Sequence, residues 1–516
     1  MSTTTSEATL GGPLSRLGDW LNPVLVKEVR QAQRGRVFAI SLVVTVLLVF
    51  FAVTLMAMTF DNGTGETPSG REFFSMVYVF LCGAVLLLVP FQAFNSMGSE
   101  WDDHTFEMLV LSNLKPRQIV LGKVLASFVQ SLVFFAAFLP FIAVAFLLRG
   151  VDMLVLVVVL GLTLYASLWL TTVSLMFSTL TRQRFLRVVM MVVLAGSLVG
   201  MIASSGALAG EFLRRPDQLT DKEFWLVLPQ VLGATTLVGL LAFFISCNVL
   251  GHEEENRSTN VRVLLTLGML AFFLCMVVDV TVPTSGIPRE VIFGLTGVAV
   301  FALAVAAVFL CTEDERLGRR VAPTVPRNGG LALLTLPWFP GRGRGAAYLL
   351  LHLFVLVAGT FALAVFADSF SLGFGKPVAP TLMNDGGLGL LVSSAYVLLY
   401  TLVPIGILSL FVAKNRRGRN WTRTVSMMSP LLFFAIPSAI GLMVDSSWLG
   451  RGKHVGNGPM TIGYAFDGSL RDAHEFAFLI LPTVVLGIVL FLPGIFRAVH
   501  ETRELSKARR TAERAG

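Results

Sequence analysis

The chain has 516 residues, 55% of them hydrophobic and 14% charged, with a mean hydropathy of +0.76 and a net charge of +8. A soluble domain carries about 25% charged residues, so a water-soluble globule is excluded. A β-barrel is excluded too, because runs such as 154–160 do not alternate apolar with polar residues.

The apolar excess comes in blocks long enough to cross the bilayer core, which takes about 20 residues of helix. In chain order, spans are predicted at 37–59, 73–95, 118–148, 153–180, 188–209, 226–249, 262–283, 290–311, 346–367, 387–413, 426–444 and 475–496. The first block starts near Val37 behind a long basic segment, so it is expected to remain as a helix rather than to be cleaved as a signal peptide. The fold expected is all-α: a polytopic integral membrane protein of about 12 transmembrane helices.

Lys and Arg gather in alternate loops. They occur before the first span (Lys27, Arg30, Arg34, Arg36), after the second (Lys115, Arg117), after the fourth (Arg182, Arg184, Arg187), after the eighth (Arg316, Arg319, Arg320, Arg327, Arg342, Arg344), after the tenth (Lys414, Arg416, Arg417, Arg419) and in the tail (Arg503, Lys507, Arg509, Arg510). Cationic loops stay in the cytoplasm, which predicts both termini inside and a cytoplasmic-membrane location. The even count permits two six-span halves, 37–250 and 251–500, flanked by a cytoplasmic segment 1–36 and a basic tail 501–516.

Ionisable residues are scarce inside the spans, where a charge costs about 2.5–3.5 kcal/mol. Asp279 and Asp368 fall at outer helix ends and His352 near an inner one. Gln92, Asn95, Gln130 and Asn248 are polar without charge and read first as hydrogen-bonding glue between helices. This pattern lacks the buried carboxylates of a proton-coupled pump and the charged ring of a channel. The four cysteines show neither metal nor disulfide spacing.

Two segments near the membrane surface carry more information. Asn22 and Pro23 open a helix in which Leu25, Val29 and Ala32 form one apolar face, with Lys27, Glu28, Arg30 and Gln31 around it. After the second span, Ser99 is placed to cap a short helix of about 98–113, with Glu100, Asp102 and Asp103 in its first turn. Phe106, Leu109 and Val110 form its apolar stripe, and Pro116 opens the next span. An acidic helix is poorly suited to the negative inner leaflet, so a protein partner is the expected occupant of this surface.

This stretch resembles the permease subunits of type-2 ABC transporters, in which an acidic run, Gly-Thr, Glu and a Leu-rich stretch precede a Pro and a hydrophobic run ending in Gly-Lys. Glu100, Thr105, Glu107, Leu109, Ser112, Pro116, Gly122 and Lys123 keep that order, while His104 and Asn113 replace the usual Gly and Pro. The resemblance covers about 25 residues. It implies a coupling helix (Glu100, Asp102, Asp103, Thr105, Phe106, Glu107, Leu109) that docks on a separate cytoplasmic ATPase pair holding ATP and Mg. It implies a connecting helix at Asn22, Pro23, Lys27, Glu28, Arg30 and Gln31. It also implies export, with the second half of the pathway supplied by this chain, by a second copy or by another permease.

No Walker A sequence is present, so this chain is expected to be a transport subunit and not itself an enzyme, with no cofactor, metal or nucleic acid of its own. The sequence is also compatible with two alternatives. One is a major-facilitator secondary transporter, because the run from Cys311 to Arg320 resembles that superfamily's loop motif, with Cys311 and Glu315 in place of Gly and Asp. The other is a membrane scaffold that transports nothing.

Overall fold

Every apolar block that can be followed forms a helix, as the absence of water at bilayer depth demands. The computed structural model describes residues 23–61, 69–102, 114–148, 150–180, 184–251, 256, 258–281, 289–318, 320–369, 387–411, 421–423, 425–426, 429 and 473–515, and among these there is no strand. Among the described residues, ten helices are long and apolar enough to cross a membrane, and Leu295–Leu310 is a shorter apolar helix. The protein is therefore an all-α, multi-pass membrane protein. The span expected at 426–444 lies outside the described residues apart from Ser426 and Ser429.

The chain packs as two compact units, Met1–Asp221 and Lys222–Gly516, dividing one helix before residue 250. In the first, α1 (Pro23–Arg34) is followed by α2 (Arg36–Asp61), α3 (Gly70–Asp102), α4 (Pro116–Leu147), α5 (Met153–Leu180) and α6 (Arg184–Arg214). The second holds α7 (Lys222–Leu250), α8 (Thr259–Thr281), α9 (Arg289–Leu310), a short α10 (Gly329–Leu334), α11 (Arg342–Ser369), α12 and α13 (Ala473–Ala515). Helix α12 comprises Gly387–Val397, Leu398–Leu402 and Val403–Phe411.

Helix α3 starts on a local signal: Ser69 accepts the amide of Glu72 at 3.4 Å. It then forms a π turn at Gly83–Leu88, immediately before Val89 and Pro90. Helix α12 repeats the device, with a π turn at Leu398–Leu402 before Val403 and Pro404. Proline lacks the N–H and crowds the carbonyl four residues back, and a wider turn relieves that clash. Serines from other segments use the loosened carbonyls: Ser167 donates to Val85 at 3.1 Å and Ser429 to Tyr400 at 2.5 Å.

Within the first unit, side-chain hydroxyls join the helices where lipid offers no hydrophobic gradient to do so. Tyr78 meets Thr163 at 2.8 Å, Ser131 meets Ser167 at 2.8 Å, and Ser178 donates to the Phe94 carbonyl at 2.7 Å. The second unit has an apolar core drawn from five helices, including Phe272, Ala307, Leu349, Leu402 and Phe491.

Helix α3 does not stop near residue 95. It runs through Asp102, and the Ser99 hydroxyl donates to the Ser96 carbonyl at 3.0 Å instead of capping a new helix. Nothing between residues 95 and 102 breaks a helix except Gly98, and one glycine is tolerated.

Candidate functional site

The end of α3 brings together residues from both of the informative segments. Helix α1 crosses α4 at Gly122, where an added Cβ would lie 2.8 Å from the Val24 side chain. The crossing is that close because Gly122 has no side chain, and it buries Val24 at 3% exposure. It also turns Glu28 inward. The inward face of α1 is thus rotated from the expected apolar one to include Val24 and Glu28.

One residue after the crossing, Lys123 is buried and its ammonium is fully engaged. It lies 3.1 Å from Glu28 Oε1, 3.0 Å from Glu100 Oε1 and 3.4 Å from Ser96 Oγ. Lys27 approaches the same carboxylates from the surface, at 3.7 Å from Glu28 and 3.8 Å from Glu100. Two cations and two carboxylates form a neutral quartet joining α1, α3 and α4. Burying a charge is tolerable only with such pairing.

The four residues of the quartet line an open cleft of about 710 Å³ within the first unit. The remaining wall is largely polar: Gln31 on α1, Gln92, Asn95 and Ser99 on α3, and Ser127 and Gln130 on α4. Phe38 and Val37, at the start of α2, form the apolar side. Gln92, Asn95 and Gln130, which the sequence suggested as glue, therefore share one surface.

Next to the quartet, Arg187 of α6 holds the last turn of α3. Its Nη1 donates to the Gly98 carbonyl at 2.9 Å and to Asp102 Oδ2 at 2.7 Å. The sequence placed Arg187 among loop cations; in the structure it is buried. The two carboxylate partners of Lys123 are 95 and 23 residues away in sequence, so its place in the Gly-Lys motif does not reveal them. Of the other expected site residues, Pro23 opens α1 and Arg30 is exposed on it. Asn22, Asp103, Thr105, Phe106, Glu107 and Leu109 lie outside the described residues.

A second ionic cluster sits at one end of the second unit. Arg262, fully enclosed at the start of α8, donates to Glu313 Oε2 at 2.9 Å, to the Pro337 carbonyl at 2.6 Å and to the Phe339 carbonyl. Arg344, equally enclosed, reaches Glu501 at 3.0 Å and Thr502 at 3.1 Å, while Glu501 also accepts the amide of Leu317 at 3.1 Å. Glu315 pairs with Arg497 at 3.1 Å. Two acidic residues of the run that resembles a major-facilitator motif are thus occupied in holding the segment 311–341 against α8 and α13. Ser506 and Arg510 extend the clamp by donating to the Arg327 carbonyl at 2.7 and 2.5 Å. Among the described residues, no group of three or more His, Cys, Asp or Glu could hold a metal.

Compared with protein-family models, curated proteins and solved structures, the chain matches none. The functional reading therefore rests on the chain's own residues.

Proposed function

We propose that the chain is the membrane-spanning permease subunit of a type-2 ABC exporter, moving a substrate across the cytoplasmic membrane with energy from a separate ATPase pair. In this reading it has twelve spans and both termini lie in the cytoplasm. The observation that carries the proposal is the quartet. The two segments that resemble this family, far apart in sequence, meet through Lys123 between Glu28 of the connecting helix and Glu100 at the end of α3. Helix α3 leads without a break to Asp102 and so into the acidic segment proposed to dock on the ATPase. A push on that segment would be transmitted to a stiff helix tied to both α1 and α4. ATP and Mg would be held by the partner, and this chain would supply the pathway.

The test is a pull-down from detergent-solubilised membranes, comparing the unaltered chain with an Asp103→Arg, Glu107→Arg double variant that leaves the quartet intact. Recovery of a Walker-A ATPase, reduced at least fivefold by the variant at unchanged thermal stability, is the expected result. If no ATPase is recovered with the unaltered chain, under conditions that preserve a known ABC complex, the proposal fails.

A further inference from the structure

The cleft that the quartet lines is walled by three polar stripes. On α3, Gln92, Asn95 and Ser99 recur at i, i+3 and i+7, so they share one face. On α4, Lys123, Ser127 and Gln130 do the same at i, i+4 and i+7. Helix α1 adds Gln31, three residues beyond Glu28. Among the described residues, no protein group pairs with the side-chain amides of Gln31, Gln92, Asn95 or Gln130. Gln130 is only 7% exposed, so its amide is part of the cleft wall and not of the open surface. These amides do not join helix to helix; they are left for whatever enters the cleft.

The cleft lies where three apolar runs stop. The uncharged run 73–91 of α3 ends at Gln92, that of α4 begins beyond Gln130, and that of α2 begins at Val37. Such a border is the level of lipid head groups. From Val37, the exposed residues Ile40, Val44 and Leu47 continue along α2 at helical spacing as an apolar stripe. The volume of about 710 Å³ falls within the roughly 300–1,000 Å³ of small-molecule sites.

Charge and hydrogen bonding then select the class of ligand. Lys27 and Lys123 are matched by Glu28 and Glu100. The surplus cations of α1, Arg30, Arg34 and Arg36, are exposed and do not line the cleft. An ionic head group would be desolvated there without a counter-charge. A phosphate or sulfate oxygen only accepts and an ammonium only donates, whereas a primary amide presents an acceptor and a donor side by side. A hydroxyl is both, so neighbouring hydroxyls satisfy both ends of an amide. We infer that this cleft binds an uncharged, hydroxyl-rich group such as a sugar. The group arrives either as the head of a lipid, with its tail along α2, or as a free polyol. Binding requires only the first unit's own residues and does not rest on the export reading.

The test uses the purified full chain in tetraethylene glycol monooctyl ether, whose head is almost entirely acceptor, with titration followed by native mass spectrometry. The probes share one tail: octyl glucoside, octylammonium and octyl sulfate. One saturable octyl glucoside per chain, bound at least tenfold tighter than either charged probe, is expected. Asn95→Leu, similar in size and at an exposed position, is expected to weaken octyl glucoside at least threefold, and Gln92→Met added to it at least tenfold in total. Gln33→Met, exposed on α1 but outside the cleft, is expected to leave binding within twofold. Equal affinity for the three probes, tighter binding of a charged one, or an effect of Gln33→Met as large as that of Asn95→Leu overturns the inference. Free glucose is then added. Displacement of octyl glucoside at comparable concentration assigns the site to a free polyol, and failure to displace it assigns the site to a lipid-borne head. A failed ATPase pull-down leaves all these outcomes intact, so the two proposals stand or fall separately.

Discussion

The two ionic clusters use the same kinds of residue to different ends. In the second unit, Arg262 and Arg344 are fully enclosed and spend their guanidinium donors largely on the backbone carbonyls and carboxylates that shape the segment 311–341. In the first unit, Lys123 is equally buried, but the carboxylates it joins border an open cleft. Arginine's planar fork suits a fixed frame with several acceptors, whereas a lysine is a point charge that can shift between two carboxylates. The comparison teaches that a buried ion pair by itself does not mark a functional site. What distinguishes the first cluster is access: a ligand can reach it, and movement of α1 would alter it.

If that contrast is right, the largest penalty falls in the enclosed cluster. Arg262→Met would strand Glu313, whose side chain is 8% exposed, and leave the carbonyls of Pro337 and Phe339 without their donor. Removing one partner of a buried pair costs about 3–5 kcal/mol, expected as a matching loss in unfolding free energy in detergent. Adding Glu313→Gln should recover part of it, because the stranded charge is gone. An Arg262→Met chain as stable as the parent would show that water reaches this cluster and would erase the contrast.

The next effect is smaller for the same reason. Lys123→Met leaves Glu28 and Glu100 facing each other, but both can turn toward the cleft and be hydrated. The loss is expected near that of charged hydrogen bonds, about 1.5–3 kcal/mol, and below that of Arg262→Met in the same assay. The signature beyond stability is release of α1, read as faster tryptic cleavage after Lys27. A penalty as large as that of Arg262→Met would mean the cleft is dry.

Much of the fold was legible, because block length against bilayer thickness is a strong signal. The spans expected at 153–180 and 226–249 lie within α5 and α7, at Met153–Leu180 and Lys222–Leu250. The π turns carry a visible cause in Val89-Pro90 and Val403-Pro404, although proline alone does not say whether a helix bends, widens or stops. The continuation of α3 through Ser99 was misread because serine favours both a cap and a back-bonded helical position, and only the helix's own continuity chooses. The partners of the buried cations were not legible at all. Arg262 and Glu313 are 51 residues apart, Arg344 and Glu501 are 157, and loop charge counting treats Arg344 like any exposed cation. Gln92, Asn95 and Gln130 were visible as polar intruders, but their shared cleft depends on the crossing of α1 over α4.

That crossing provides the finest comparison, between two glycines at close helix contacts. At Gly343 an added Cβ would lie 2.2 Å from the backbone oxygen of Gly494, which cannot yield without displacing α13. Gly343→Ala is therefore expected to cost about 1–3 kcal/mol, as overpacking does. At Gly122 the obstacles are the Val24 side chain at 2.8 Å and the Leu25 amide nitrogen at 3.1 Å, both carried on a short helix that can move as a body. Alanine inside a helix also gains about 0.8–1 kcal/mol over glycine, so Gly122→Ala is expected to change unfolding free energy by under about 1 kcal/mol. Its effect should appear instead as partial undocking of α1, with more cleavage after Lys27 and, since Glu28 leaves with α1, a Lys123 drawn fully to Glu100. Equal destabilisation by the two alanines, with no change in cleavage, would mean that α1 is as rigidly seated as α13. The quartet would then belong with the fixed frame and not with the movable part of the protein.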